Sequence, residues 1–449
     1  MDKYGWLILL LFYLSKVVFS QNPIIRDQFT ADPSARVFKN RVYVYPSHDI
    51  RAPEGKGLRK DWFCMEDYHV FSSNDLVNWI DHGIILTQYQ VPWVDTTSFS
   101  MWAPDCVEHN GKYYFYFPAI SNEKDSLSGR KLFRIGVAIA DSPEGPFVPQ
   151  PEPIKGIVGI DPCVFIDKDG QAYIYWSLGN IFVAKLKENM IEIESEPLII
   201  ENLPEKGLKE GPWVFERNGI YYLTFPHVAN KIERLEYAMG RHPMGPFKMA
   251  GVIMDESPIN CWTNHHSIVE YKGQWYLFYH QNYLSPHFDK NRSVCIDSLF
   301  FNDDGTIRKV VPTFRGVGIN KATDVINIDR YSFISLQGVS IDFIDSTDTF
   351  KGWKLIMNKK NSWVQYNNID FGNKKLSSLQ LKILSNDRNI LIVKYDNSNG
   401  PLIAKIKIPK TKNWSVITSD IKNYKPGIHN IYIELKKDKD LEIDWIKFQ

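Results

Sequence analysis

The chain has 449 residues, more than one hydrophobic core usually supports and enough for a sizeable core in each of two domains. Its 53 basic and 52 acidic side chains leave a formal net charge of +1, which gives no electrostatic reason for a nucleic-acid or anionic-membrane partner and favours a neutral one. Five cysteines (Cys64, Cys106, Cys163, Cys261 and Cys295) with no CxxC pair exclude a disulfide-dense scaffold and a recognisable zinc site; they read as buried thiols, with one bridge open but unassignable.

The N-terminal stretch "MDKYGWLILLLFYLSKVVFSQN" carries an apolar run from about Gly5 to Leu14, interrupted afterwards by Lys16 and followed by Val18 and Ser20. Such a run is too short to span a bilayer and resembles a secretory signal over residues 1–20. The expectation is a secreted or periplasmic protein with no membrane span once the signal is removed. No cysteine follows the run to carry a lipid anchor.

Further on, five stretches share one plan: "TADPSARVFKNRVYVYPS", "MWAPDCVEHNGKYYFYFPA", "GIDPCVFIDKDGQAYIYWS", "KEGPWVFERNGIYYLTFPH" and "TNHHSIVEYKGQWYLFYHQ". Each has a polar or acidic start, an apolar strand, a turn and an aromatic strand. The turns "HNGK", "KDGQ", "RNGI" and "YKGQ" are hairpin chemistry, because Asn and Gly tolerate positive φ. Strand signals also lie between these hairpins; "DSPEGPF" and "RHPMGPF" end two of them, since Pro and Gly enforce turns there. About four strands per repeat, recurring roughly every 50 to 70 residues, predict an all-β chain opening with a five-bladed β-propeller over residues 21–325. A parallel β-helix would have shorter repeats without hairpins.

From about Arg330 the blade pattern stops and short alternating strands follow, among them "SWVQYNNIDFG", "IAKIKIPK" and "LEIDWIKFQ". They predict a β-sandwich (jelly-roll) domain over residues 326–449.

A propeller brings the heads of its innermost strands together at one end of a central channel. The heads here carry Asp32, Asp105, Asp161, Glu210 and His265. One carboxylate at a strand head is ordinarily a cap. Several converging ones repel unless protons or ligands are shared, and a carboxylate pair separated by a water fits hydrolysis of a glycosidic bond with inversion. The sequence contains no GxSxG elbow, HExxH, phosphate loop or dinucleotide fingerprint.

"ADPSARVF", "SMWAPDC", "GIDPCVFID", "LKEGPWVFERNGIYYL" and "NHHSIVEYKGQWYLFYH", within roughly Gln28 to Gly318, resemble glycoside hydrolase family 43. That resemblance implies a five-bladed propeller acting mainly as an α-L-arabinofuranosidase, β-D-xylosidase or arabinanase, with no cofactor required for the chemistry. It implies Asp32 as the general base, Glu210 as the general acid and Asp161 as the residue that orients Glu210 and raises its pKa. His265, in a His-x-Ser pattern and preferred over His266 on that spacing, would lie at the channel. It would either contact calcium through water or be a hydrogen-bonded channel histidine without metal. Trp102 would wall the sugar pocket, against an ordinary core role. Arg292 would reach sugar hydroxyls, against a surface ion pair. Trp62, Phe63 and Trp93 are candidates for the rim.

The C-terminal part resembles a family 6 carbohydrate-binding module through "WVQYNNIDFG" and "LEIDWIKF", with Trp414 as either a stacking platform or a buried tryptophan. The expected activity is that of an inverting exo-glycosidase releasing terminal α-L-arabinofuranosyl or β-D-xylosyl residues from plant-type polysaccharides or oligosaccharides. An endo-arabinanase, another furanosidase such as a galactofuranosidase, or a non-catalytic glycan-binding propeller are the alternatives. Carbohydrate is the expected partner.

Overall fold

Two-residue turns set the local geometry. In a computed structural model that describes residues 22–328 and 330–449, Asn110 and Gly111 have φ of +51° and +77°, and Asn218 and Gly219 have +54° and +74°. These left-handed pairs match the twist of the strands they join, pairing His109 with Lys112 and Arg217 with Ile220. The expected signal segment, residues 1–20, lies outside the described residues.

Five antiparallel sheets follow in chain order. The first blade comprises Phe29–Phe38, Arg41–Asp49, Asp67–Ser73 and Ile80–Thr87. The second runs from Asp105–His109 to Val148–Pro149, the third from Ile160–Ile166 to Leu198–Ile199 and the fourth from Trp213–Arg217 to Phe247–Met254. The fifth has only three strands, His266–Tyr271, Gln274–Gln281 and Ser293–Leu299. Asn22 and Ile24 take the place of a fourth strand. Ile24 N–H donates to Val294 O (2.9 Å), while the Asn22 side chain donates to Ile296 O (3.0 Å) and accepts from Ile296 N–H (2.8 Å). The first and last parts of the propeller are thereby hydrogen-bonded, and the outer edge of the fifth blade is covered. Among the described residues the only helical segments are two three-residue 3₁₀ turns.

The C-terminal part is a sandwich of two six-stranded sheets, already begun at Asn320–Lys321, which pairs with Trp363–Asp370. Strand alternation builds its core. On Ser378–Leu384 the residues Leu379, Leu381 and Ile383 are fully buried while their neighbours face outward, and Val364, Val393, Ile433 and Ile443 meet them from other strands. The sandwich packs directly on the propeller. Trp353 belongs to the propeller's hydrophobic cluster, Phe29 packs at a tilt against Phe350 with ring centroids 4.8 Å apart, and Arg315 Nε donates to Asn367 O (3.1 Å). Trp414 is half-buried, with Lys382 Nζ lying 5.7 Å from its ring centroid. All five cysteines are buried and free.

Candidate active site

Two Asp-Pro dipeptides repeat one backbone device. In the first blade Ala31 pairs with Ser47 and Ser34 with Tyr45, so Asp32 and Pro33 face Pro46 alone; in the third, Asp161 and Pro162 face Trp176 alone. Each is a β-bulge, and the proline there has no N–H to leave unpaired. Both aspartates sit in the left-handed region, with φ of +47° and +56°. A non-glycine residue held there is strained, a condition that clusters at functional sites. A serine on the neighbouring strand ties each carboxylate: Ser47 Oγ donates to Asp32 Oδ2 (2.6 Å) and Ser177 Oγ to Asp161 Oδ2 (3.1 Å).

These carboxylates line a pocket of about 200 Å³ together with Glu210, Glu233, Trp102, His265 and Arg292. Pockets for drug-sized ligands run roughly 300–1,000 Å³, so this one suits a single sugar ring. Trp262, Trp62, Phe63 and Trp102 form a continuous aromatic wall, with successive ring centroids 6.5, 5.0 and 5.9 Å apart. Trp93 lies elsewhere, stacked on Phe117 (5.9 Å) inside the second blade.

Asp32 has the most strongly ionised environment. Burial acts to raise its pKa, but Arg292, then His265, His280 and the Ser47 hydrogen bond outweigh burial and bring it down to about 2. The Arg292 fork is divided between two acids. Nη1 and Nη2 donate to Asp32 Oδ1 (2.7 Å) and Oδ2 (3.1 Å), while Nε and Nη2 donate to Asp49 Oδ2 (2.9 Å) and Oδ1 (2.9 Å). His280 completes the setting by accepting the Asp32 N–H at Nδ1 (3.1 Å); burial and Arg292 push its pKa down to about 3, so the ring is neutral.

Glu210 is shifted in the other direction. Burial raises its pKa, with Asp32 adding to the effect and Glu233 and Arg292 opposing it. Its backbone is fixed by the next residue, because Gly211 N–H donates to Asp161 Oδ2 (2.9 Å). Only glycine fits that position: φ is +50°, and a Cβ would lie 2.9 Å from Pro226 Cγ and 3.1 Å from His265 Cε1. Asp161 is itself pushed up to about 7, chiefly by burial, with Glu210 and Asp32 adding and His265 and the Gly211 N–H opposing.

The two histidines face different ways. His265 lines the pocket with Nδ1 3.9 Å from Asp32 Oδ1, whereas His266 is buried with Nε2 2.6 Å from Thr224 Oγ1. Calcium prefers six to eight oxygen ligands. The acid nearest His265 is committed to Arg292, and among the described residues no metal-ligand cluster includes this histidine. The residues present do not fit a directly held calcium ion. Asp105 is not in the pocket; it is buried beneath it, bound by Arg36 Nη2 (2.6 Å), Ser34 Oγ (2.6 Å) and Val164 N–H (2.7 Å).

The pocket also holds residues that the strand-head reading passed over. Glu233 begins the third strand of the fourth blade and is fully enclosed; its Oε2 accepts the Asn264 N–H (2.6 Å), while Oε1 has no donor among the described residues. Its carboxyl interacts with that of Glu210, and burial followed by that repulsion raises it well above the ordinary carboxylate range. Two carboxyls in contact resolve their repulsion by sharing a proton, and the pair titrates as one unit. The Asn264 amide lines the same pocket with neither Nδ2 nor Oδ1 paired among the described residues. Thr263 and Asn264 open the stretch "TNHHSIVEYKGQWYLFYHQ" and Trp262 directly precedes it, so all three sit beside the His265 strand head. Glu233 has no comparable signal, being one of two glutamates in "ERLEYAMG".

Comparisons with known proteins find relatives of both domains. Residues 20–307 match the sequence profile of Glycosyl hydrolases family 43, and residues 321–449 that of Carbohydrate binding module (family 6). Xylosidase/arabinosidase 43A of Humicola insolens is 39% identical over 333 residues, covering 64% of this chain and 98% of that protein. A xylosidase/arabinosidase of Bacteroides ovatus is 35% identical over 63% of this chain and 95% of its own length. Among solved structures, a β-xylosidase/α-arabinofuranosidase from a compost microbial metagenome, in complex with xylotriose and calcium-free, superposes with a TM-score of 0.58 at 36% identity, covering 65% of this chain and 97% of that one. With its propeller, its paired carboxyls and its C-terminal sandwich, the chain belongs to Glycosyl hydrolases family 43 and carries a family 6 carbohydrate binding module.

Proposed function

We propose that this glycoside hydrolase is an inverting exo-enzyme that releases terminal α-L-arabinofuranosyl or β-D-xylosyl residues from plant-type polysaccharides and oligosaccharides. The observation that carries this reading is the divergence of two carboxyls in one small pocket, Asp32 down to about 2 and Glu210 raised. Environments that push a pair of acids apart assign the base and the acid. Asp32 takes a proton from the attacking water, and Glu210 gives one to the departing glycosidic oxygen. Arg292 keeps Asp32 ionised, Asp161 holds the Glu210 segment through Gly211, and Glu233 keeps a proton on the acid side. The names of the two similar proteins support both pentoses. A proton NMR time course with aryl α-L-arabinofuranoside and aryl β-D-xylopyranoside tests the proposal. One or both sugars should appear first as the inverted anomer; a first product with retained configuration would overturn the Asp32 and Glu210 roles.

A second expectation concerns pH. Ionised Asp161 opposes ionisation of Glu210, so Asp161→Asn lets Glu210 lose its proton at lower pH and moves the alkaline limb of kcat/KM downward. Well below pH 7 the effect is small, because Asn carries the same charge as the protonated acid. A pH–rate series on wild type and variant checks this, and unaltered profiles would reduce Asp161 to a cap on its bulge. The sandwich, on this reading, holds glycan near the propeller and raises the local substrate concentration. The apolar N-terminal run supports export to the periplasm or medium; among the described residues no helix is long and apolar enough to cross a membrane.

A further inference from the structure

Behind the strand whose Ser47 and Asp49 hold Asp32 and Arg292 in place lies a second cluster of side chains. Ser47 pairs with Tyr68 across the first blade, which places His48 beside Asp67; His69, two residues on, shares the same face. One ligand atom from each of His48, Asp67 and His69 lies within 4.8 Å of the other two. None of the three lines the catalytic pocket. His48 Nδ1 and Asp67 Oδ1 are 2.7 Å apart, sharing a proton whose place a cation can take. The side chains are 21%, 8% and 14% exposed, so the cluster is held by its surroundings yet open to solvent on one side.

A second feature points the same way. His69 Nδ1 sits 3.0 and 3.2 Å from the two carboxylate oxygens of Asp81. Asp81 is in turn fixed by the Gly83 N–H at Oδ1 (2.8 Å) and Gln28 Nε2 at Oδ2 (3.2 Å). A carboxylate at Nδ1 places the ring proton there and leaves the Nε2 lone pair free. It also fixes the ring orientation, as the outer partners of metal-binding histidines do. Two imidazoles and one carboxylate suit a divalent first-row transition metal, with water completing the coordination, and do not suit calcium.

We propose that His48, Asp67 and His69 bind one divalent transition-metal cation of the zinc class at a site separate from the catalytic pocket, fastening Arg41–Asp49 to Asp67–Ser73. The role is structural, because none of the three ligands lines the catalytic pocket. The test uses the full chain, stripped with EDTA, freed of chelator and titrated with zinc chloride against a chromophoric chelator, with thermal melts in parallel. Wild type should bind one zinc equivalent more than His69→Ala, and zinc should raise the melting temperature of wild type but not of His69→Ala. Asp81→Asn keeps all three ligands and should weaken zinc about 10–100-fold, the usual loss when an outer partner is removed. Both variants should retain wild-type turnover, which verifies that they fold; Asp81→Asn carries the test if His69→Ala does not. Equal zinc binding by wild type and the folded variants, or no zinc bound by wild type, would overturn the site and leave a hydrogen-bonded His–Asp pair.

Discussion

Glu210→Gln should lower turnover of xylobiose or an arabino-oligosaccharide about 10²–10⁴-fold, the usual contribution of a positioned general acid. Expressed as a barrier, that is roughly 3–5.5 kcal/mol. The diagnostic is the dependence on leaving group. A sugar hydroxyl is a poor leaving group and needs the Glu210 proton, whereas a dinitrophenolate departs without one, so the variant should recover most of its rate on a dinitrophenyl glycoside. Asp32→Asn should behave differently. Water must still be deprotonated whatever departs, so its loss should be similar on both substrates. Steady-state kinetics of the two variants on the two substrates provides the comparison. Equal losses for Glu210→Gln on both would remove its role as acid. The pairing with the buried Glu233 adds a condition: the glutamine side chain retains the volume of Glu210 and can hydrogen-bond the partner carboxyl, so the fold should survive the change.

Asp32, Asp161, Glu210, His265, Trp102 and Arg292, candidates that the sequence offers, all line one pocket. Asp32 and Asp161 were legible because the propeller repeats its strand heads and an Asp-Pro dipeptide there implies a special backbone; the bulge and positive φ are the physical content of that pattern. Glu233 was illegible for the opposite reason. It lies on a third strand, outside any repeat position, and matters only through the fold bringing it against Glu210. The three-stranded fifth blade was likewise hidden, since its closure pairs Asn22 and Ile24 with residues about 270 positions away. His48, Asp67 and His69 come from two strands whose register no local pattern specifies. Residues at repeated positions can be read from one sequence, and those joined by pairing register cannot.

Arg292→Met should be the most damaging single change to stability. Arg292 is 3% exposed and is the common partner of Asp32 and Asp49, so deleting its charge leaves two buried carboxylates beside one another. Breaking a buried ion pair by removing one partner typically destabilises by about 3–5 kcal/mol. At roughly 2–4 °C per kcal/mol for a domain of 150–250 residues, the melting temperature should fall by roughly 6–20 °C. The sign with pH follows from Asp32. Its carboxyl is held at about 2 in the folded protein against an ordinary 3.8, so its ionisation stabilises the wild type above the unfolded value, and that contribution is lost as pH falls through the folded one. Without Arg292, burial dominates and the folded pKa rises, so the variant gains relative stability on acidification while wild type loses it. Turnover should carry the same signature, with the acid limb of the rate profile moving to higher pH as the base becomes harder to ionise. Thermal melts and kcat across the acidic range measure both effects on one variant. Arg292→Lys separates charge from shape: it restores one positive charge without the planar fork that serves two acids, and should recover only part of the stability. Full recovery in the lysine variant would mean that charge alone matters, and an unchanged melting temperature in Arg292→Met would show that Asp32 does not depend on this partner.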